Sequence, residues 1–257
     1  MMLNQIVSGA PSALPPVVLA HGLFGQARNL GGLARRLGAD RQVVSVDMRN
    51  HGESFQSPDH SYEALAGDLA QVIEAQGGRA DVVGHSMGGK AAMRLAMTRP
   101  ELVRRLVVLD IAPVSYPHTQ ESLIEAMESL DLSGLTLRSQ ADAALAAKVQ
   151  DPGVRAFLLQ SLDLKAQPPA WKMNLAVLHE RMDDVTGFPA GGRPFDGPAL
   201  FLAGGDSDYV DPRGESAIRA AFPQAVIEHM PGIGHWLHAE RPAEVGERVA
   251  GFLNGTG

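Results

Sequence analysis

The 257-residue chain predicts an α/β architecture: a mostly parallel sheet of about eight strands, helices on both faces, and one helical insertion. Three observations predict it. Short apolar, β-rich runs alternate with amphipathic segments over residues 1–114. Over 115–194 the strand signals stop, and apolar residues recur only at helical spacing. From 195 to 257 the alternation resumes. The division that follows is a core of 1–114 and 195–257 with a helical cap at 115–194.

The elements fall in order. Runs at 17–20, 43–46, 81–83 and 106–109 read as strands, nearly all apolar, as parallel strands buried on both faces must be. Segments 29–37 and 62–76 read as helices; in the second, Leu65, Leu69, Val72 and Ile73 share one face. A third helix is expected over 87–98, stopped by Pro100. In the insertion, Leu123, Ile124, Met127 and Leu130 have helical spacing, as do Trp171, Leu175, Leu178 and Met182. Ser139 with Asp142 reads as a capping box that opens a helix ending before Pro152. Gly191, Gly192, Pro194, Gly197 and Pro198 form a hinge back to the core. Strands at 199–203 and 226–230 and helices at 212–221 and 243–253 complete the chain.

Composition narrows the function. There is no cysteine, so disulfides, thiolate metal sites and a cysteine nucleophile are excluded. With 22 Lys and Arg against 29 Asp and Glu, the net charge of −7 disfavours nucleic acid and anionic membranes. No basic, apolar leader opens the sequence, and no uncharged run is long enough for a membrane span. A cytoplasmic enzyme acting on small molecules is the expectation.

The chemistry concentrates at Gly84-His85-Ser86-Met87-Gly88, between an entering strand and a leaving helix. Such a tight turn strains the serine backbone and lifts its hydroxyl clear of the sheet. Ser86 is the candidate nucleophile, and the Met87 amide, at a helix N-terminus, faces developing negative charge. A second oxyanion donor is expected from His21-Gly22-Leu23-Phe24-Gly25, at Leu23. A hydroxyl needs a base, and His235, in the loop after the last strand, is the candidate. His85 is expected to point into the scaffold and His21 to organise its own loop. His51, His60, His118, His179 and His229 are expected on loops or surfaces. His238 makes His-x-x-His with His235, but without supporting ligands no metal is expected. Asp47 and Arg49 read as scaffold that fixes a turn.

The acid that orients His235 has more than one candidate. The usual slot is Gly-x-x-Asp after the penultimate strand, but three residues beyond Gly204 stands Ser207, flanked by Asp206 and Asp208. Asp110 closes the strand at 106–109 and lies near that slot in a parallel sheet.

Five segments now combine: His21-Gly-Leu-Phe-Gly25, Asp47-Met-Arg-Asn-His-Gly-Glu-Ser54, Gly84-His-Ser-Met-Gly-Gly-Lys90, Leu109-Asp-Ile-Ala-Pro113 and Gly234-His-Trp-Leu-His-Ala-Glu-Arg-Pro242. In this order they resemble the α/β-hydrolase superfamily and, more narrowly, the YbfF-type bacterial esterases. The cap stretches 154–159 and 171–175 are similar to that group's. The resemblance implies an α/β-hydrolase fold and a Ser-His-Asp triad that cleaves carboxylic esters, and acyl thioesters, without a cofactor. It places the acid at Asp110, with Ser207 as a fourth, hydrogen-bonding member. Asp206 stays as the fallback acid, because that group often carries Asn there. Carbon–carbon bond hydrolases and lactonases use the same triad and stay open.

Two rivals from other classes fit the sequence less well. Gly84-x₄-Gly89-Lys90 satisfies the phosphate-binding loop pattern of nucleotide hydrolases, but Ala91 stands where a Ser or Thr must hold magnesium. A catalytically inactive binding protein would have no need for Ser86, His235 and a carboxylate together.

Overall fold

The computed structural model describes residues 1–255. Among the described residues, seven strands form the main sheet: β1 (Gln5–Ser8), β2 (Val17–Ala20), β3 (Val43–Val46), β4 (Ala80–His85), β5 (Val103–Leu109), β8 (Ala199–Gly204) and β9 (Ala225–Met230). Their order is β1-β3-β2-β4-β5-β8-β9. All neighbours run parallel except β1, which pairs antiparallel with β3. Seven described strands stand where about eight were expected. The α/β-hydrolase architecture stands, and β1 is the strand the apolar pattern did not reveal. At this edge Gln5 and Ser8 are polar, and Ile6 and Val7 are about half exposed. The strand is recruited by its ladder with β3 rather than by burial.

The inner strands are the apolar ones. Every residue of β2, β3 and β4 is buried. Each face of the sheet has its own core. On one face α2 (Tyr62–Ala75) and α3 (Met87–Thr98) pack Leu65, Leu69, Ile73, Met93 and Leu95 against Val18, Val82 and Val108. On the other, α1 (Gly31–Leu37) and α11 (Pro242–Asn254) pack Leu33, Leu37, Val245 and Val249 against Leu19, Val83 and Val107.

α9 (Pro212–Ala221) follows β8 and α10 (Leu237–Glu240) follows β9, while between β5 and β8 lie α4 (Glu121–Glu128), α5 (Arg138–Leu145), α6 (Pro152–Leu159), α7 (Leu175–Glu180) and α8 (Met182–Thr186). A two-stranded ribbon, β6 (Leu162–Asp163) with β7 (Ala170–Trp171), interrupts them, so this stretch is not purely helical. It builds a third apolar cluster around Ile124, Met127, Leu145, Leu158, Leu178 and Met182, into which Phe24 of the core reaches. The Ser139–Asp142 capping box does not form. α5 begins at Arg138, and Gln140 Oε1 instead accepts the Leu137 and Thr136 amides at 3.0 Å. Asp142 faces Arg155 at 2.8 Å.

Charge is buried at the amino end of the sheet. The fully buried carboxylate of Asp81 accepts from Arg41 Nη1 and from Arg104 Nε, each at 2.8 Å. Arg104 and Arg105 in turn donate to the carbonyls of Leu253 and Phe252 at the end of α11. Burial outweighs both guanidinium groups and pushes the Asp81 carboxyl above the usual range. Removing the carboxylate leaves Arg41, itself 2% exposed, without its counter-charge. Asp81→Ala should therefore cost about 3–5 kcal/mol of stability, read by denaturant unfolding.

Candidate active site

The carboxyl ends of β4, β5 and β8 converge where open α/β sheets place their ligands. At the end of β4 the chain turns directly into α3, and Ser86 is the residue at the turn, with φ 51° and ψ −118°. A left-handed serine costs about 1–3 kcal/mol, which the surrounding packing must hold in place. The glycines around it are required by space. A Cβ on Gly84 would lie 2.3 Å from the Gly88 carbonyl oxygen, and one on Gly88 would lie 2.4 Å from the Ala20 oxygen. Both obstacles are backbone. Met87 is the first residue of α3, so its N–H has no partner within the helix.

The loop after β2 closes against this turn. Gly22 packs on the Ser86 side chain. Next to Leu23, Phe24 is left-handed at φ 63°, and its N–H donates to His51 Nε2 at 3.2 Å. His51 donates from Nδ1 to the Arg49 carbonyl, while His21 donates to the Gly22 carbonyl at 2.7 Å and accepts the Met48 amide at 2.9 Å. His51 and His60 were expected on loops or surfaces; both lie in loop segments but are 1% exposed, His51 meeting the ring of His21 edge-on and that of His60 at a tilt. Burial lowers the pKa of all three, to about 4 for His60, so they serve as neutral struts. Asp47 accepts the Ala27 and Glu53 amides, and Arg49 grips Asp68 through two bonds of 2.6 and 2.8 Å.

Asp110 follows β5 with φ 51° and is 1% exposed. It accepts three donors. Gly204 N–H reaches Oδ1 at 2.8 Å, while Ser207 Oγ, at 2.5 Å, and His235 Nδ1, at 2.7 Å, reach Oδ2. With Nδ1 donating to the carboxylate, Nε2 of His235 keeps its lone pair. Tyr209 stacks on the His235 ring, 4.1 Å away and 25° from parallel. Asp206 is exposed; its backbone N–H is held by the Ile233 carbonyl, and it does not join the Asp110–His235 contact. His238 lies against His85 at 4.5 Å, and burial lowers its pKa to about 4. Among the described residues, no three His, Cys, Asp or Glu side chains are grouped to hold a metal ion.

Ser86, Met87, Leu23 and His235 line one cavity of about 450 Å³, which the insertion roofs with Leu123, Val149, Val154, Phe157 and Leu158. Lys90, the residue that suggested a phosphate loop, is 1% exposed. Its Nζ donates to the carbonyls of Thr186 (2.9 Å) and Gly187 (2.6 Å), closing the end of α8. Tyr116 supplies a ring 4.7 Å below it. Neither Tyr209 nor the capping role of Lys90 was legible in the sequence. A signal for Tyr209 was available: an aromatic two residues beyond Ser207.

The profile of the alpha/beta hydrolase family matches residues 17–248, and the chain belongs to that family. Its relatives include mouse sn-1-specific diacylglycerol lipase ABHD11, 42% identical over 251 residues that cover 94% of this chain and 82% of that one. Esterase YbfF of Escherichia coli strain K12 is 39% identical over 244 residues, 93% of each chain. Among solved structures, a marine microorganism esterase superposes with a TM-score of 0.92 at 33% identity, covering 98% of this chain and 99% of that one. Among the described residues, no helix is long and apolar enough to cross a membrane.

Burial pushes the Lys90 amine down to about 7. An unfolded lysine titrates near 10.4, so between about pH 7 and 10 the unfolded chain binds the extra proton and stability must rise with pH. Lys90→Met should remove that rise, so its stability relative to the wild-type protein falls from pH 7 to 9.5 in urea unfolding.

Proposed function

We propose that this chain hydrolyses carboxylic esters, and acyl thioesters, through an acyl-enzyme on Ser86. The observation that carries the reading is the bond from His235 Nδ1 to the buried Asp110 carboxylate, which leaves Nε2 as a base on the cavity that Ser86 also lines. His235 takes the Ser86 proton as Oγ attacks the acyl carbon, and Asp110 stabilises the imidazolium that forms. The Met87 and Leu23 amides receive the oxyanion. His235 then returns the proton to the departing alcohol or thiol. Water, activated by the same imidazole, releases the acid.

In this reading Ser207 is a fourth member that holds Asp110 from the β8 side, and Asp206 has no part in the chemistry. The stretch 115–194 acts as a cap on the core of 1–114 and 195–257, and its apolar side chains receive the acyl group. The names of the relatives, an esterase and a lipase, support the reaction class.

The test uses p-nitrophenyl esters and acyl-CoA thioesters of increasing chain length, with a fluorophosphonate probe in parallel. Wild-type protein should turn over short esters and carry the probe on the peptide containing Ser86. Ser86→Ala should lose at least about 10³-fold in kcat and all labelling, with the fold intact by circular dichroism. Full ester hydrolysis by the Ala variant would overturn the reading.

A further inference from the structure

The geometry points to His85 as the positioning residue that holds the main chain of His235 in register with Ser86; this rests on the reading of Ser86 and His235 as nucleophile and base. The ring of His235 is steered by Asp110 and Tyr209, but a ring is only as well placed as the backbone that carries it. That backbone lies in an irregular loop, Pro231-Gly232-Ile233-Gly234, with Gly232 at φ 68°. Two glycines in four residues leave it many conformations. Around the loop, Ile233 is tied through its carbonyl to the Asp206 amide and Gly234 through its amide to Glu240. At His235 itself the main-chain tie is His85, whose Nε2 donates to the His235 carbonyl at 2.9 Å.

His85 is suited to the task by where it stands. It is the last residue of β4 and the neighbour of Ser86, so the bond links the base to the element that carries the nucleophile. The ring is 4% exposed, 4.8 Å from the ring of His235 and 4.5 Å from that of His238. Its other edge meets the loop that carries Leu23: a Cβ on Gly22 would come within 2.8 Å of His85 Nδ1. One side chain thus touches the nucleophile turn, the base loop and the oxyanion loop. Donation to a carbonyl requires a proton on Nε2, and burial keeps the ring neutral by lowering its pKa well below the usual imidazole range. The middle position of Gly-x-Ser is not an arbitrary filler here. It calls for a rigid ring with a donor at its far edge.

The test compares His85→Asn, whose amide ends near the position of Nδ1 and falls short of the carbonyl, with His85→Gln, whose amide nitrogen reaches the position of Nε2. Both are made in the full chain alongside Ser86→Ala. An ångström of misplacement at a reacting group costs about 10²-fold, so His85→Asn should lose roughly 30- to 100-fold in kcat with KM within about threefold. Fluorophosphonate labelling of Ser86 should slow in proportion. His85→Gln should recover at least about tenfold of that loss.

A packing role alone would lower the melting temperature of both variants and leave kcat per active site unchanged; that result overturns the inference. So does an equal loss of kcat in both variants. If His85→Asn does not fold, His85→Leu, which keeps bulk and lacks the donor, takes its place: a kcat at least about tenfold below that of His85→Gln supports the inference, and a smaller difference overturns it. If Ser86→Ala is inactive while folded His85→Asn is normal, only the role of His85 falls. If Ser86→Ala is active, the underlying reading falls instead.

Discussion

The candidate site depends on one buried carboxylate. Asp110 has 1% of its surface exposed, and a charge so placed persists only if hydrogen bonds replace its water. The strand order supplies them. β8 lies beside β5, so the Gly204 amide and Ser207 hydroxyl arrive from one neighbour. β9 lies beside β8, and the loop beyond it brings His235 as the third donor. Each donor comes from a different position in the chain, and all three meet at one residue because the sheet is parallel and their strand ends are adjacent. The left-handed backbone of Asp110 turns its side chain into that meeting point.

The second constraint is steric. β4 passes into α3 without a linker, and the close approach of Gly84, Gly88 and the β2 end excludes any side chain at the two glycines. The strain at Ser86 is sustained because β4 is buried throughout and α3 is pinned on the sheet by Met93 and Leu95. Rigidity is thus borrowed from the apolar core and delivered to a hydroxyl at the cavity wall. A site whose parts are already in place has little reorganisation left to do when charge develops.

Most of the scaffold was legible because inner parallel strands and amphipathic helices carry strong periodic signals. The strands at 17–20 and 43–46 and the helix at 87–98 coincide with β2, β3 and α3. β1 was invisible because its stability comes from pairing with β3, which local apolar pattern does not encode. The Ser139–Asp142 box failed because the helix opens two residues earlier, with Leu137 at the N-cap and Gln140 at its third position accepting the Leu137 amide. His51 and His60 lie in loops, as one branch of the expectation had it, but their burial was not legible: a histidine reads as polar in a sequence, whereas each ring here is desolvated and bonded to backbone or side-chain partners. Of the site, the elbow around Ser86 and the histidine at 235 were readable from spacing. The candidate acid was not readable from spacing, which left Asp110 and Asp206 both open at two strand ends; the family resemblance placed it at Asp110. In space Asp110 reaches the imidazole and Asp206 faces solvent.

The contrast between the two carboxylates is open to direct measurement. Asp110→Asn and Asp206→Asn, purified side by side and confirmed folded, should be compared for kcat on one short-chain ester. The amide at 110 keeps the shape but favours the wrong imidazole tautomer, so the account predicts a loss of about 10⁴ in kcat. At 206 the same change touches an exposed side chain, and the predicted loss is less than about tenfold. An inactive Asp206→Asn beside a fully active Asp110→Asn would contradict the account and return the acid to the strand end of β8.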